Sequence, residues 1–161
     1  MIDLNSKIIG AESFRYSEFL KSTTAIRQGI LNIPDEKSLD NIKSLAVNVL
    51  QPVREQFGRI KITSGFRCKE LNKLISSPTS LHILGAAADI EPVDHRIKLL
   101  DILKWINSNC DYKELISEFL PDGWIHVGYL SGSNDRKIKL KNRQNNYKIV
   151  DIRYLEELYE Q

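Results

Sequence analysis

The stretch SLHILGAAADIEP, residues 80–92, decides how this chain is read. Its second half alternates like a strand, which puts Ala87 and Asp89 on one face and Ala88 and Ile90 on the other. Gly85 stands between His82 and that strand, where a residue free of Cβ lets the chain turn sharply. The small residues Ala86, Ala87 and Ala88 leave room for other backbone, a metal or a substrate to approach closely. The pattern therefore offers an imidazole, His82, and a carboxylate, Asp89, as candidate ligands.

A second histidine of the right kind lies downstream. GWIHVGYL (123–130) reads as a strand with His126 at its middle, and YKELISEF (112–119) reads as the strand before it. Leu120-Pro121-Asp122 joins the two as a short hairpin loop. Zinc takes neutral imidazole and carboxylate ligands, and a catalytic site keeps three protein ligands with a fourth position open. His82, Asp89 and His126 supply that set. Separately each is a weak signal: a strand histidine between apolar neighbours is often a satisfied core group, and a buried aspartate commonly anchors a turn.

Around these segments the rest of the chain reads as helices in front and strands behind. Residues 16–28 predict one short helix stopped by Gly29, and a turn follows at Asn32 to Pro34. From Asp35 to Phe57 the apolar residues Leu39, Ile42, Leu45, Ala46, Val49, Leu50, Val53 and Phe57 recur at helical spacing, with Pro52 expected to kink or split the run and Gly58 to close it. RIKITSGF (59–66) predicts a strand ending at Ser64-Gly65, Lys69 to Ile75 one or two helical turns, and 76–80 a loop. Residues 95–108 predict an amphipathic helix opened by an exposed His95, and the tail adds one or two strands and a terminal helix. The expectation is an α+β fold, with N-terminal helices packed on a mostly antiparallel sheet that bears the metal site. It forms a single domain over 1–161, divided into a helical lead-in (8–58), a core (59–136) and a C-terminal strand and helix (137–161).

Bulk properties narrow the function. The 161 residues carry a formal net charge of +2 and 42% hydrophobic residues, so nothing calls for a nucleic-acid partner, and no run is long enough to insert in a membrane. The N-terminus lacks the basic start and apolar run of a signal peptide, so synthesis in a cytoplasm is expected. Cys68 and Cys110 form no CxxC pair, which excludes a cysteine-based zinc site and suggests two reduced thiols.

Taken together, Ser80, His82, Gly85, Ala87 and Asp89, followed by Trp124 and His126, resemble the signature of the zinc D-Ala-D-Ala carboxypeptidases and related phage endolysins, the M-fifteen peptidases. Ser64-Gly65-Phe66-Arg67 matches that family's element before the first ligand, and the likeness covers roughly residues 10–136. The resemblance implies a Hedgehog/D,D-peptidase-like fold and Zn²⁺ held by His82, Asp89 and His126. It implies hydrolysis of peptide bonds in peptidoglycan stem peptides, by carboxypeptidase or endopeptidase action. The setting it implies is the cell wall, reached after release or as part of a phage particle, where other virion proteins would be partners. A zinc-stabilised wall-binding or virion module without catalysis is the alternative on the same fold.

The resemblance also assigns roles. Relatives carry an acidic residue shortly before the last histidine, often three positions upstream, but that position here is Gly123. The candidates for the general base are then Glu118, where phage-type relatives commonly show a glutamate, and Asp122, which extended backbone would place on the face of His126. By their own positions, Arg67 after the strand-ending Ser-Gly would hold the substrate carbonyl oxygen or its developing charge, or else form a structural salt bridge; Ser80 would orient substrate or a ligand, or else serve as a cap; and Trp124 would wall the cleft.

Overall fold

The computed structural model describes residues 3–144 and 146–159. Met1, Ile2, Asn145 and the last two residues of the predicted domain, Glu160 and Gln161, lie outside the described residues.

The lead-in is less helical than its composition suggests. Strands β1 (Lys7–Ile8) and β2 (Ala11–Arg15) pair antiparallel before the first helix. The helix expected over 16–28 is two, α1 (Tyr16–Leu20) and α2 (Thr23–Gln28). Ser22 is the reason: it is extended, and its side chain accepts the backbone N–H of Ala25 at 3.2 Å, so it caps a new helix rather than continuing the old one. Gly29 ends α2 in the left-handed region, as expected.

Asp35 caps α3 (Glu36–Leu45) by accepting the Ser38 N–H at 2.8 Å. The run that follows is divided just before Pro52, in keeping with the expected kink or split. A π-helical turn over Ala46–Leu50 leads directly into α4 (Gln51–Phe57), and Pro52 sits in the first positions of α4. The wider turn absorbs the hydrogen bond that proline cannot donate. Ile42, Leu45, Ala46, Val49, Leu50 and Val53 are fully buried along the resulting face. Each large aliphatic among them contributes roughly 2 kcal/mol through burial.

The main sheet has six strands in the order β3 (Ile60–Ser64), β4 (Ala87–Pro92), β6 (Trp124–Gly128), β5 (Glu114–Glu118), β7 (Lys137–Lys141) and β8 (Tyr147–Val150). Every pairing is antiparallel except β5 with β7. This is the expected mixed fold with a mostly antiparallel sheet. One sheet face, carrying Ala88, Ile90, Leu115, Ile125 and Val127, enters the main core with the helices. The opposite face carries Asp89, His126, Glu114 and Glu118.

Helix α5 (Lys69–Ile75) lies where expected, and a 3₁₀ turn spans Leu81–Leu84. Helix α6 (Leu99–Asn109) starts four residues later than the periodicity indicates, because Asp94 accepts both the backbone N–H of Arg96 at 3.0 Å and its guanidinium, folding 93–98 into a turn. His95 is exposed there. Helix α7 (Ile152–Tyr159) closes the described chain and packs on α6. Cys68 is half-buried and Cys110 buried, and both are free thiols; burial pushes Cys110 up to about 11. No helix among the described residues is long and apolar enough to cross a membrane.

Candidate metal centre

The β4–β6 register sets the centre. Asp89 and His126 are direct cross-strand partners, so the alternation of both strands projects both side chains to the same face. His82 arrives from the 3₁₀ turn, whose first residue is capped by Ser80 Oγ accepting the His82 N–H at 3.4 Å. Gly85 ends that turn at φ +68, and a Cβ there would lie 2.5 Å from the Ser38 carbonyl oxygen. Glycine is required on both counts, as the sequence indicated.

Three donor atoms converge. His126 Nδ1 lies 2.9 Å from Asp89 Oδ1, His82 Nε2 lies 3.3 Å from the same oxygen, and the two imidazole nitrogens are 3.2 Å apart. All three residues are buried. The outer ring atoms are also engaged: His82 Nδ1 is 2.6 Å from the Gly65 carbonyl oxygen, and His126 Nε2 is 3.2 Å from Glu114 Oε1. Both outer partners only accept, so the hydrogens of two neutral rings point outward. With both rings neutral three acceptors face one another, an arrangement that a cation among them satisfies. Metal bonds of 2.0–2.1 Å at tetrahedral angles separate donor atoms by about 3.3 Å, close to the 2.9, 3.2 and 3.3 Å found here. Two nitrogens and one carboxylate oxygen, all within 4.8 Å of one another, therefore fit a zinc-type ion.

The electrostatics agree. Burial works against a charged Asp89, yet the two imidazoles beside it hold the carboxyl far below the ordinary range. Burial alone would lower His126, but Asp89 and Glu114 override it and raise the ring to about 9. For His82 burial wins and the ring stays below its usual value. Glu114, which burial would raise, is held at about 2 by His126 and Lys139.

A cleft of about 500 Å³ opens over the centre. Arg67 enters it, with Nη2 3.1 Å from Asp89 Oδ2 and with Nε and Nη2 on Ser64 Oγ at 3.0 and 2.8 Å. Ser80 and Trp124 line it, and the Trp124 ring meets Phe119 edge-on at 5.2 Å. Glu118 is buried in its floor, with Oε2 2.7 Å from Lys141 Nζ.

Asp122 is the exception among the sequence candidates. It lines a different cavity, beside His95, Lys98 and Tyr159. Counting alternate residues back from His126 does not reach it, because β6 begins only at Trp124 and residues 119–123 form a turn with Phe119 at φ 58. Gly123 is just as constrained: a Cβ there would sit 1.7 Å from the Glu118 carbonyl oxygen. The turn has no room for a side chain at this position.

Sequence reasoning missed Glu114, Lys139, Lys141 and the Gly65 carbonyl. Alternation along β5 puts Glu114 on the face of Glu118, so Glu114 was within reach of that argument. The lysines were not, since they depend on the parallel pairing of β7 with β5.

The family model for peptidase M15 matches residues 12–128, well over half of the chain, and the match includes all three candidate ligands. The chain belongs to the peptidase M15 family. Peptidases of this family are metal-dependent hydrolases, and His82, Asp89 and His126 form the cluster able to bind the metal among the described residues. Strands β7 and β8, which bring Lys139, Lys141 and Tyr147 to the cleft, lie outside the matched M15 segment. No curated protein matches the chain.

Proposed function

We propose that this M15 peptidase is a zinc enzyme that hydrolyses peptide bonds in the stem peptides of bacterial peptidoglycan, of the kind deployed by phage endolysins. The observation that carries the reading is the convergence of His82 Nε2, Asp89 Oδ1 and His126 Nδ1 on one buried point at the bottom of an open cleft. Bound there, zinc would supply a Lewis acid and an acidified water.

The chain's own residues supply the rest. Glu118 is the carboxylate that takes a proton from the attacking water and returns it to the departing amine, which leaves badly without one. Lys141 holds it in place from the neighbouring strand. In Arg67, Nε and Nη2 are engaged by Ser64 and Asp89, so Nη1 is the nitrogen available to the substrate carbonyl oxygen, where charge develops. Trp124 and Ser80 flank the substrate.

The cleft balances three carboxylates, Asp89, Glu114 and Glu118, against three cations, Arg67, Lys139 and Lys141. A bound dication leaves it positive overall. That favours a peptide bearing free carboxylates, as stem peptides do.

Digestion of purified peptidoglycan by the zinc-loaded protein, with mass analysis of the released fragments, tests the reading. New amino termini at one defined stem-peptide bond are expected. Zinc binding without any released fragment would favour a wall-binding module instead.

A further inference from the structure

The His126 ring is held from two sides, and only one of them is the metal centre. Nδ1 faces Asp89 and His82, while Nε2 faces Glu114 Oε1 at 3.2 Å. Glu114 stands on β5 opposite Gly128, two positions along β6 from His126, so the glutamate reaches diagonally across the ladder to the ring. Gly128 makes that reach possible. A Cβ at 128 would lie 3.2 Å from Glu114 Cγ and 2.5 Å from Leu81 Cδ1, and any side chain there would compete for the space that Glu114 crosses. The far oxygen of Glu114, Oε2, accepts from Lys139 Nζ at 2.6 Å, and Lys139 comes from the parallel neighbour β7. The carboxylate is thus fixed at both ends and partly buried.

A carboxylate accepts and does not donate, so the ring nitrogen facing it carries the hydrogen. Asp89 faces Nδ1 in the same way, so the metal-free ring carries both hydrogens; once Nδ1 gives its hydrogen up to a metal, Glu114 keeps the other on Nε2. We propose that Glu114 is a positioning residue that selects the His126 tautomer with Nδ1 free for the metal, and that Lys139 holds Glu114 in register for this task. The inference rests on the reading of His82, Asp89 and His126 as the metal ligands. Partners of this kind orient a ligand ring and strengthen its donation, and their loss costs 10- to 100-fold in metal affinity. His82 has an equivalent in the Gly65 carbonyl, but a neutral acceptor lacks the charge that Glu114 adds.

Zinc itself is the probe. Competition against a chromogenic chelator should show Glu114→Ala binding zinc about 10- to 100-fold more weakly than wild type, with Glu114→Gln between them because it keeps an acceptor and loses the charge. Lys139→Met should weaken binding less than Glu114→Ala. Nitrogen-15 shifts of the zinc-loaded wild type should report His126 with Nδ1 on the metal and a proton on Nε2, a signature that a merely structural ion pair would not set. Zinc affinity for folded Glu114→Ala within about twofold of wild type would overturn the proposal, as would ring shifts placing the metal on Nε2. Should Glu114→Ala fail to fold, Glu114→Gln and Lys139→Met take its place in the chelator competition, and zinc affinity within about twofold of wild type in both overturns the proposal. A wild type that binds zinc while Glu114→Ala binds equally well removes this inference only; a wild type that binds no zinc removes the metal reading with it.

Discussion

Asp89 and His126 face each other directly across the β4–β6 ladder, and His126 Nδ1 lies 2.9 Å from Asp89 Oδ1. Each residue sits inside its strand between buried core neighbours, Ala88 and Ile90 for Asp89 and Ile125 and Val127 for His126. The third member, His82, reaches the pair only because Gly85 turns the chain back toward the sheet.

Asp89→Ala and His126→Ala should each lose the metal, with content falling from about one ion per chain to background by elemental analysis. Peptidoglycan digestion should vanish with it. Retention of stoichiometric metal in either variant would remove these residues from the ligand set.

Metal binding should release protons. His126 in the metal-free protein is raised to about 9, so at pH 7 it is protonated and must shed that proton to coordinate. Calorimetry in two buffers of different ionisation heat should find about one proton released per ion, with affinity rising between pH 6 and 9. The metal-free protein should show the opposite trend. The stabilisation from charged His126 is complete below its unfolded value of 6.5 and fades as pH rises through about 9. Thermal midpoints measured with a chelator present check this.

Glu118→Gln should retain the metal and lose about 10²- to 10⁴-fold in kcat, since the amide cannot shuttle a proton. Asp122→Asn, at the other cavity, should leave kcat within about twofold. The reverse ranking would transfer the role to the turn.

Gly85→Ala should destabilise the protein by more than about 2 kcal/mol, because it adds left-handed strain and places a methyl 2.5 Å from a backbone oxygen. Zinc affinity should fall as well, since the same turn carries His82. Chemical denaturation and chelator competition measure the two effects separately.

Much of this was legible in the residues. The turn at Gly85 and the alternation of Ala87 and Asp89 against Ala88 and Ile90 follow from spacing within short segments, and the candidate ligand set from the family resemblance. The helical face from Ile42 to Val53 followed from periodicity, and the division expected at Pro52 took the form of a π-helical turn. Local chemistry also explains the misses at Ser22 and Asp94, where a side chain accepted a backbone N–H and reset a helix boundary.

By itself the sequence determined which side chains could serve a metal and which strand faces they occupy, because alternation and turn chemistry act over a few residues. Which of the two candidate acids lines the same cleft was decided by tertiary structure. Glu118 enters the cleft and Asp122 does not, because the backbone of 119–123 leaves extended geometry before β6 begins. Glu114 and Lys139 meet because β7 pairs parallel with β5, a contact between segments that only the folded sheet brings together. Strand order and register depend on packing over the whole core, and no local spacing encodes them.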